Sequence, residues 1–424
     1  MKKRPLSRRS FLAGSAASIA ALSTKRRQRV HAAKKNEWSN WSQAVKATPK
    51  KFETPNTHEA LVKLVQKAAA KKQTVRVAGS GHSFVPLCPS EHLMLSLDNL
   101  QGIEDIDSDK AQAKVKAGSK LFNIGEPLYK AGISLPNQGD VDRQALAGAI
   151  GTGTHGTGKD LPNMSNFAIG FTLLTGTGEE IECSETENRE IFKAAQVSFG
   201  ALGIMTSITL QGDKAFKLHE NNWTVEYEDC MENLDSHIEN NRSFEFFFTA
   251  KNDKCSMKTL AKTTAEDKAY DDGERIGPAY VVFPNARNAK FNETEFAMPA
   301  ENGPDCLSEL RELIRTKYDS LAWPIEYRTV KADDIPISPH NGRASVAISC
   351  HQSYRRPHEE FFKECQAIYL NHGGRPHWGK MHWLTAKEIR GLYPEWEHFQ
   401  EVRKELDPNG IFMNDFVRKT LVEG

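Results

Sequence analysis

The sequence predicts an α+β fold in two parts. Three observations carry that prediction. Segments of helical and strand period alternate up to about residue 212, strand-rich segments with two helices follow, and glycine clusters interrupt the first part where it leaves its strands.

Residues 1–33 lie ahead of the fold. Ser7-Arg8-Arg9-Ser10-Phe11-Leu12 is a twin-arginine motif, a weakly apolar run extends to Leu22, and Val30-His31-Ala32-Ala33 offers cleavage after Ala32 or Ala33. A basic head, a short apolar run and a small-residue end describe an export signal rather than a membrane span of about 20 residues. This predicts delivery to the periplasm by the twin-arginine machinery, with membrane association if the signal is retained. A basic disordered tail is the plainer alternative, and it leaves the order of the features unexplained.

In the first part, Asn56 or Thr57 caps a helix whose apolar face is Leu61, Leu64, Val65 and Ala68. Residues 74–78 read as a strand with Val75 and Val77 on one face; 93–97 and 113–117 are the next two. Helices are predicted over 119–130 and 145–149. Residues 167–174 and 180–183 form a hairpin around Gly176-Thr177-Gly178, and 204–210 closes the part. In the second part, strands are predicted at 223–227, 244–250, 279–283, 325–330 and 344–349. Helices are predicted at 305–318 and 357–371, the latter with Pro357 in its first turn and Gly373 just past its end. Residues 252–274 are polar and charged and read as a loop or mobile insert.

Charge and cysteine usage exclude several classes. The chain carries 56 Lys and Arg against 55 Asp and Glu, but nine of the basic groups and no acid fall in residues 1–33. The remainder therefore holds 47 basic and 55 acidic groups, net −8, which argues against a nucleic-acid partner. Its ~390 residues suffice for two domains, and no later apolar run reaches the length of a membrane segment. The seven cysteines (88, 183, 230, 255, 306, 350 and 365) are scattered without a CxxC pair, which is neither a disulfide framework nor a thiol-metal site. His372, His377 and His382 are five apart, not four, so no metal is predicted.

Four motifs carry chemistry. Gly79-Ser80-Gly81-His82-Ser83-Phe84 follows a strand, and Gly151-Thr152-Gly153-Thr154-His155-Gly156-Thr157-Gly158 holds four glycines in eight residues. Pro86 and Pro89 prevent a helix from starting cleanly after the first loop, and the third glycine of a Rossmann fingerprint is missing. Glycine lets backbone approach a ligand closely, and its amide can bind a diphosphate oxygen. Two such loops in one part are hard to explain as ordinary turns. Glu326 and Arg328, two apart, face one side of a strand; a surface ion pair is the plainer reading. His377-Trp378-Gly379-Lys380 supplies another cation.

As a set, these motifs resemble the vanillyl-alcohol-oxidase (PCMH-type) family of FAD-linked oxidases, in its aldonolactone and alditol oxidase branch. The resemblance runs from about Trp41 to the C-terminus and is strongest at 77–84, 139–158, 199–210, His377 to Lys380 and Asn414-Asp415. It implies an FAD domain over 41–212, of two small α+β parts. It also implies a mixed-sheet cap over 213–424 whose C-terminal segment returns to the flavin. The implied FAD contacts are Gly79, Ser80, Gly81, His82, Ser83, Phe84, Gly139, Asp140, Gly148, Thr152, Gly153, His155, Gly156, Gly158, Gly203, Ile204 and Asn414. His82 occupies the position that bonds covalently to the flavin 8α-methyl. A histidine largely unprotonated at neutral pH and flanked by small residues is suited to that bond.

The resemblance further implies that Glu326 binds a substrate hydroxyl and Arg328 stabilises developing negative charge, with Lys380 as base or electrostatic clamp. His351 is another candidate base. The implied activity is oxidation of an aldono-1,4-lactone or related sugar polyol, with hydride transfer to flavin N5 and reoxidation by oxygen to hydrogen peroxide. In the family a small residue at the position of Gly139 leaves oxygen a path, which leans toward an oxidase. Two alternatives stand beside it: a dehydrogenase that passes electrons to a quinone or cytochrome, and an exported carbohydrate-binding protein without catalysis.

Overall fold

Thr57 accepts a hydrogen bond from the Ala60 amide and so starts the helix His58–Ala70, whose buried face is Leu61, Val65 and Ala68. That face packs on a parallel sheet ordered Lys51–Glu53, Leu93–Leu95, Val75–Val77. The structure, a computed structural model, describes residues 36–285 and 289–423; the twin-arginine segment lies outside them. Among the described residues no helix is long and apolar enough to cross a membrane.

An antiparallel five-stranded sheet completes the first part, ordered Glu180–Ser184, Ala168–Leu174, Ile204–Gln211, Gln112–Lys116, Ile103–Asp107. The predicted hairpin is present, with Gly178 at φ +84° in its turn. Leu121–Lys130 and Leu146–Gly151 are the two predicted helices. Several elements go beyond the sequence prediction, among them Lys51–Glu53, Ile103–Asp107 and Arg189–Gln196. Ile103–Asp107 is an acid-rich edge strand with no buried residue, so its pattern carries no hydrophobic alternation. Arg189–Gln196 is a helix of only eight residues.

The second part is built on one sheet of nine strands. Their order is Lys268–Asp271, Glu274–Pro278, Lys217–Glu226, Lys254–Thr263, Ser243–Thr249, Ile325–Val330, Ser345–Ser353, Phe291–Pro299, Arg375–Pro376. Each neighbouring pair is antiparallel, so this sheet is not mixed as expected. Residues 252–274 are not a loop. Lys254–Thr263 pairs over its whole length with Lys217–Glu226 and buries Cys255, Met257, Lys258 and Leu260, while its remaining polar side chains face outward. Residues 279–283 are not a strand either. Ala279–Val282 is a single helical turn after Pro278, burying Ala279 and Val282 three apart and leaving Val281 exposed.

The helices Gly303–Lys317 and Glu359–Asn371 cover one face of the large sheet. The two parts share one apolar cluster that runs from Val115 and Phe171 to Phe246 and Tyr369. The C-terminus returns to the first part. The Val75 amide donates to the Ile411 carbonyl at 2.7 Å, and Ile411 and Phe412 fill the core beneath the first helix. Arg76, buried beside them, donates to the carbonyls of Leu87, Phe199, Gly200 and Phe412. One guanidinium thereby ties the segment just after the first glycine loop, the 199–200 turn and the C-terminal segment together.

Candidate active site

Strand alternation divides the large sheet into two chemistries. Phe246, Tyr327, Ile348 and Phe296 form one cross-strand row, buried on the helix side, where Phe296 stacks on Tyr369. One residue away on each strand, the side chains turn to the other face. Lys258, Glu245 and Arg328 stand in one row there; Glu326, Ser349 and Glu295 stand in another; and Glu293 faces His351.

These charged side chains hold one another. Arg328 Nη2 lies 2.5 Å from Glu295 Oε2 and 3.5 Å from Glu326 Oε2, and Nη1 donates to the His155 carbonyl at 3.4 Å. The other oxygen of Glu295 is 3.0 Å from His155 Nε2. Ser349 Oγ donates to Glu326 at 3.2 Å. Lys380 Nζ stands 2.5 Å from Glu293, which lies 3.6 Å from His351 Nε2. His351 Nδ1 is 2.9 Å from the Pro324 carbonyl. A carbonyl only accepts, so Nδ1 carries the proton and Nε2 is the nitrogen left for exchange. Behind this group, Lys258 bridges Asp140 at 3.1 Å and Glu245 at 2.9 Å.

Burial opposes each of these charges, and the pairing decides the outcome. Burial would raise Glu295, but Arg328 and His155 hold it well below the usual carboxylate range. Burial would raise Glu293 too, yet Lys380 and His351 keep it low. Arg328 is held more firmly protonated than usual despite its burial, chiefly by Glu326 and Glu295. Glu245 goes the other way: burial lifts it above the ordinary range, Lys258 opposes, and Asp140 and Glu326 add to the rise.

The opposite wall is made of small residues. A cleft of about 600 Å³ runs between it and the charged sheet face. Of the predicted positions, Gly79, Ser80, Gly81, His82, Ser83, Phe84, Gly139, Asp140, Gly148, Thr152, His155, Gly203 and Ile204 line it, together with Glu326, Arg328, Lys380 and His351. Gly153, Gly156, Gly158 and Asn414 do not. A Cβ on Gly156 would lie 2.4 Å from Asn137 Oδ1, and one on Gly158 would lie 2.6 Å from the Arg242 carbonyl. The Cβ space at those glycines is taken by neighbouring protein. Gly153, at φ +73°, turns the chain beside Val197 and Pro339. Asn414 caps the last helix and donates to the carbonyls of Pro86, Leu87 and Pro89.

Lys380 has a carboxylate, Glu293, as its near neighbour, the arrangement of a fixed electrostatic clamp. His372, His377 and His382 lie in three different settings. His372 pairs with Glu309 at 2.9 Å, His382 lies beside Trp378 and Phe416, and only His377 reaches the cleft. His155, Glu295 and His377 do offer three ligand atoms within 4.8 Å of one another, on a carboxylate already bound by Arg328 and His155.

The sequence reading missed Glu293 and Glu295, gave His377 no catalytic role, and passed over Lys120, which lines the cleft and pairs with Asp98 at 2.8 Å. The signal for the first two was present. Acids two apart inside the strand Phe291–Pro299, otherwise buried, repeat the spacing of Glu326 and Arg328.

The small-residue wall fits a flavin dinucleotide. Ser80 Oγ is buried with no hydrogen-bond partner among the described residues, and the Gly148 Cα faces open space. The 79–84 loop and the segment from Gly148 to His155 are the residues that would hold it. Cholesterol oxidase from B. sterolicum shares this architecture, with a TM-score of 0.81 at 16% identity over 91% of this chain and 96% of that chain. That architecture, with the match of the first part to an FAD-binding-domain family, defines a PCMH-type flavoprotein. Residues 49–184 match the family described as FAD binding domain, and 267–420 match D-arabinono-1,4-lactone oxidase. The chain is 32% identical to L-gulono-1,4-lactone dehydrogenase of Mycobacterium tuberculosis, over 91% of this chain and 99% of that protein. It is 28% identical to L-gulonolactone oxidase of Scyliorhinus torazame, over 91% and 98%. It belongs to the aldonolactone oxidase branch of the PCMH-type FAD-linked flavoproteins.

Proposed function

We propose that this chain oxidises a CH–OH group of an aldono-1,4-lactone or related sugar polyol, with oxygen as electron acceptor. The observation that carries the reading is a single cleft with a glycine wall on one side and Glu326, Arg328 and Glu295 on the other. Bound FAD supplies the hydride acceptor at N5, and oxygen then takes the two electrons and two protons as hydrogen peroxide. Glu326 accepts a hydrogen bond from a substrate hydroxyl neighbouring the reacting one and so positions the substrate. Arg328, fixed by Glu295, stabilises negative charge as the reacting hydroxyl loses its proton. His351 Nε2 takes that proton, oriented by the Pro324 carbonyl, and Lys380 holds the cleft's positive potential beside it.

His82 is the site of the flavin bond in this reading. Burial first, then Lys380 and Lys120, lower its imidazole to about 4, so the neutral nucleophilic form prevails at physiological pH. Residues 1–33 direct the folded, loaded protein through the twin-arginine route to the periplasm; Arg8→Lys with Arg9→Lys should hold the precursor in the cytoplasm. The activity is tested by mixing purified protein with L-gulono-1,4-lactone, D-arabinono-1,4-lactone and alditols under anaerobic conditions and watching the flavin bleach. Absence of bleaching by every member of the panel would falsify the substrate class. A dehydrogenase with a quinone or cytochrome acceptor is the second reading, supported by the name of the 32% identical relative. Slow reoxidation of the reduced enzyme by air would select it.

A further inference from the structure

The hairpin formed by Trp38–Ser39 and Lys46–Ala47 lies on the first glycine loop rather than on either large sheet. Its turn grips the loop on both sides of His82. The Trp41 amide donates to the Gly81 carbonyl at 2.7 Å. Asn40, only 3% exposed, donates from Nδ2 to the Ser83 carbonyl at 3.0 Å, while its Oδ1 accepts from the Val45 amide at 3.0 Å. One side chain therefore closes the turn and pins the loop. The Trp41 ring stacks on the His82 ring at 5.6 Å and 29°, and is backed edge-on by Phe291 at 5.2 Å. Gly81 makes the contact possible. It sits at φ +69°, and a Cβ there would come within 3.3 Å of Asn40 Cα and of the Trp38 ring.

Carbonyls 81 and 83 are thus held by consecutive residues 41 and 40, and the imidazole between them is held by the ring of Trp41. We infer that Asn40 and Trp41 are positioning residues for the covalent attachment of flavin: they fix the loop and ring of His82 so that an imidazole nitrogen meets the flavin 8α-carbon. The inference rests on the tether proposed above. In that step a nitrogen–carbon bond forms, and the imidazole N–H and one 8α C–H are lost. Their two electrons and two protons pass to the flavin ring, and oxygen removes them as hydrogen peroxide. Fixing one reactant in place is the kind of contribution that intramolecular geometry makes to a bond-forming rate.

The test follows attachment, not turnover. Mature chain made in a riboflavin-starved host is mixed with FAD. Total bound flavin is read in the folded protein, and acid-stable flavin is read in samples precipitated over time. Wild-type protein should become tethered. Trp41→Ala and Asn40→Ala should bind FAD yet tether about tenfold or more slowly. Trp41→Phe, which keeps a ring, should recover most of the rate. If Trp41→Ala does not bind FAD, Trp41→Leu takes its place as apolar bulk without a ring, and slow tethering is again expected. Tethering at the wild-type rate in a ring-less variant that binds FAD overturns the positioning role and leaves the tether standing. Wild-type protein that releases all its flavin into acid overturns both.

Discussion

The two walls of the cleft work by opposite means. The glycine wall offers backbone and little side chain, and its His82 is kept neutral by burial and two nearby cations. The sheet wall is crowded with charge: Glu293, Glu295, Glu326, Arg328 and Lys380 line it, with Glu245 and Lys258 behind. The first wall can hold a large ligand because so little of it is in the way. The second can bear on a small reacting group because its charges are already fixed by one another and need not reorganise. Removing a charge from the second wall should therefore cost far more than adding bulk to the first.

Arg328→Ala should give the largest effect. Flavin reduction by substrate should fall by about 10³, and unfolding stability by about 3–5 kcal/mol, because Glu295 and Glu326 lose their buried counter-charge. Stopped-flow and denaturant titration measure the two losses. Glu326→Gln and Lys380→Ala should slow reduction by about 10² with the flavin spectrum intact. Near-normal reduction in all three would move the chemistry off the sheet wall.

Glu295→Gln sharpens the comparison, since it keeps shape and removes charge. A hydrogen bond to a charged group contributes about 1.5–3 kcal/mol, so reduction should slow by roughly 10- to 100-fold. If the rate holds, Arg328 is positioned without Glu295. On the glycine wall, Gly139→Ala should slow reoxidation by oxygen about tenfold, or about 1.4 kcal/mol, with a smaller effect on reduction. The added Cβ would lie 3.1 Å from the His155 carbonyl, which Arg328 also contacts. Equal slowing of both half-reactions would show that the methyl acts through that carbonyl and not on the path of oxygen.

The smallest effect comes from a buried group outside both walls. Burial, with Lys419 adding to it, lowers His382 to about 4, against an ordinary value of about 6.5. As pH falls, the unfolded chain binds this proton first, so the stabilising neutral state is lost progressively from about pH 6.5 to about pH 4. Its share between about pH 8 and about pH 6 is about 1 kcal/mol. His382→Leu should flatten the stability–pH curve by that amount, and an unchanged curve would mean that His382 titrates alike in the folded and unfolded chain.

The same contrast explains what could be read from sequence. The glycine wall announces itself locally, in Gly79 to Phe84 and in the capped helix before it, because close backbone approach requires particular residues in a row. Glu326 and Arg328 were legible as a pair two apart on a strand. Glu293 and Glu295 carry the same spacing, but they pair with Lys380 and Arg328 from distant strands and loops, and no local pattern records that. The error at residues 252–274 has a related cause. Lys258 looks like a solvent residue until Asp140 and Glu245 close on it. Gly156 and Gly158 lie close against their own protein, and in sequence such a glycine is indistinguishable from one that admits a ligand.

The grip of Arg76 on Phe412 has a consequence for synthesis. These residues are 336 positions apart, so a ribosome adding about 5–20 residues per second needs roughly 17–70 s to travel from one to the other. Throughout that interval the strand carrying Val75 has no Ile411 beside it, and the guanidinium lacks one of its four carbonyls. The amino-terminal half of the nascent chain therefore waits on the codons of Ile411 and Phe412 before the strand leading into its glycine loop is fully paired. A stop codon in place of Ile411, which removes both partners, should be as damaging as a lesion in the loop itself, and newly made chain should lean on chaperones until those residues emerge.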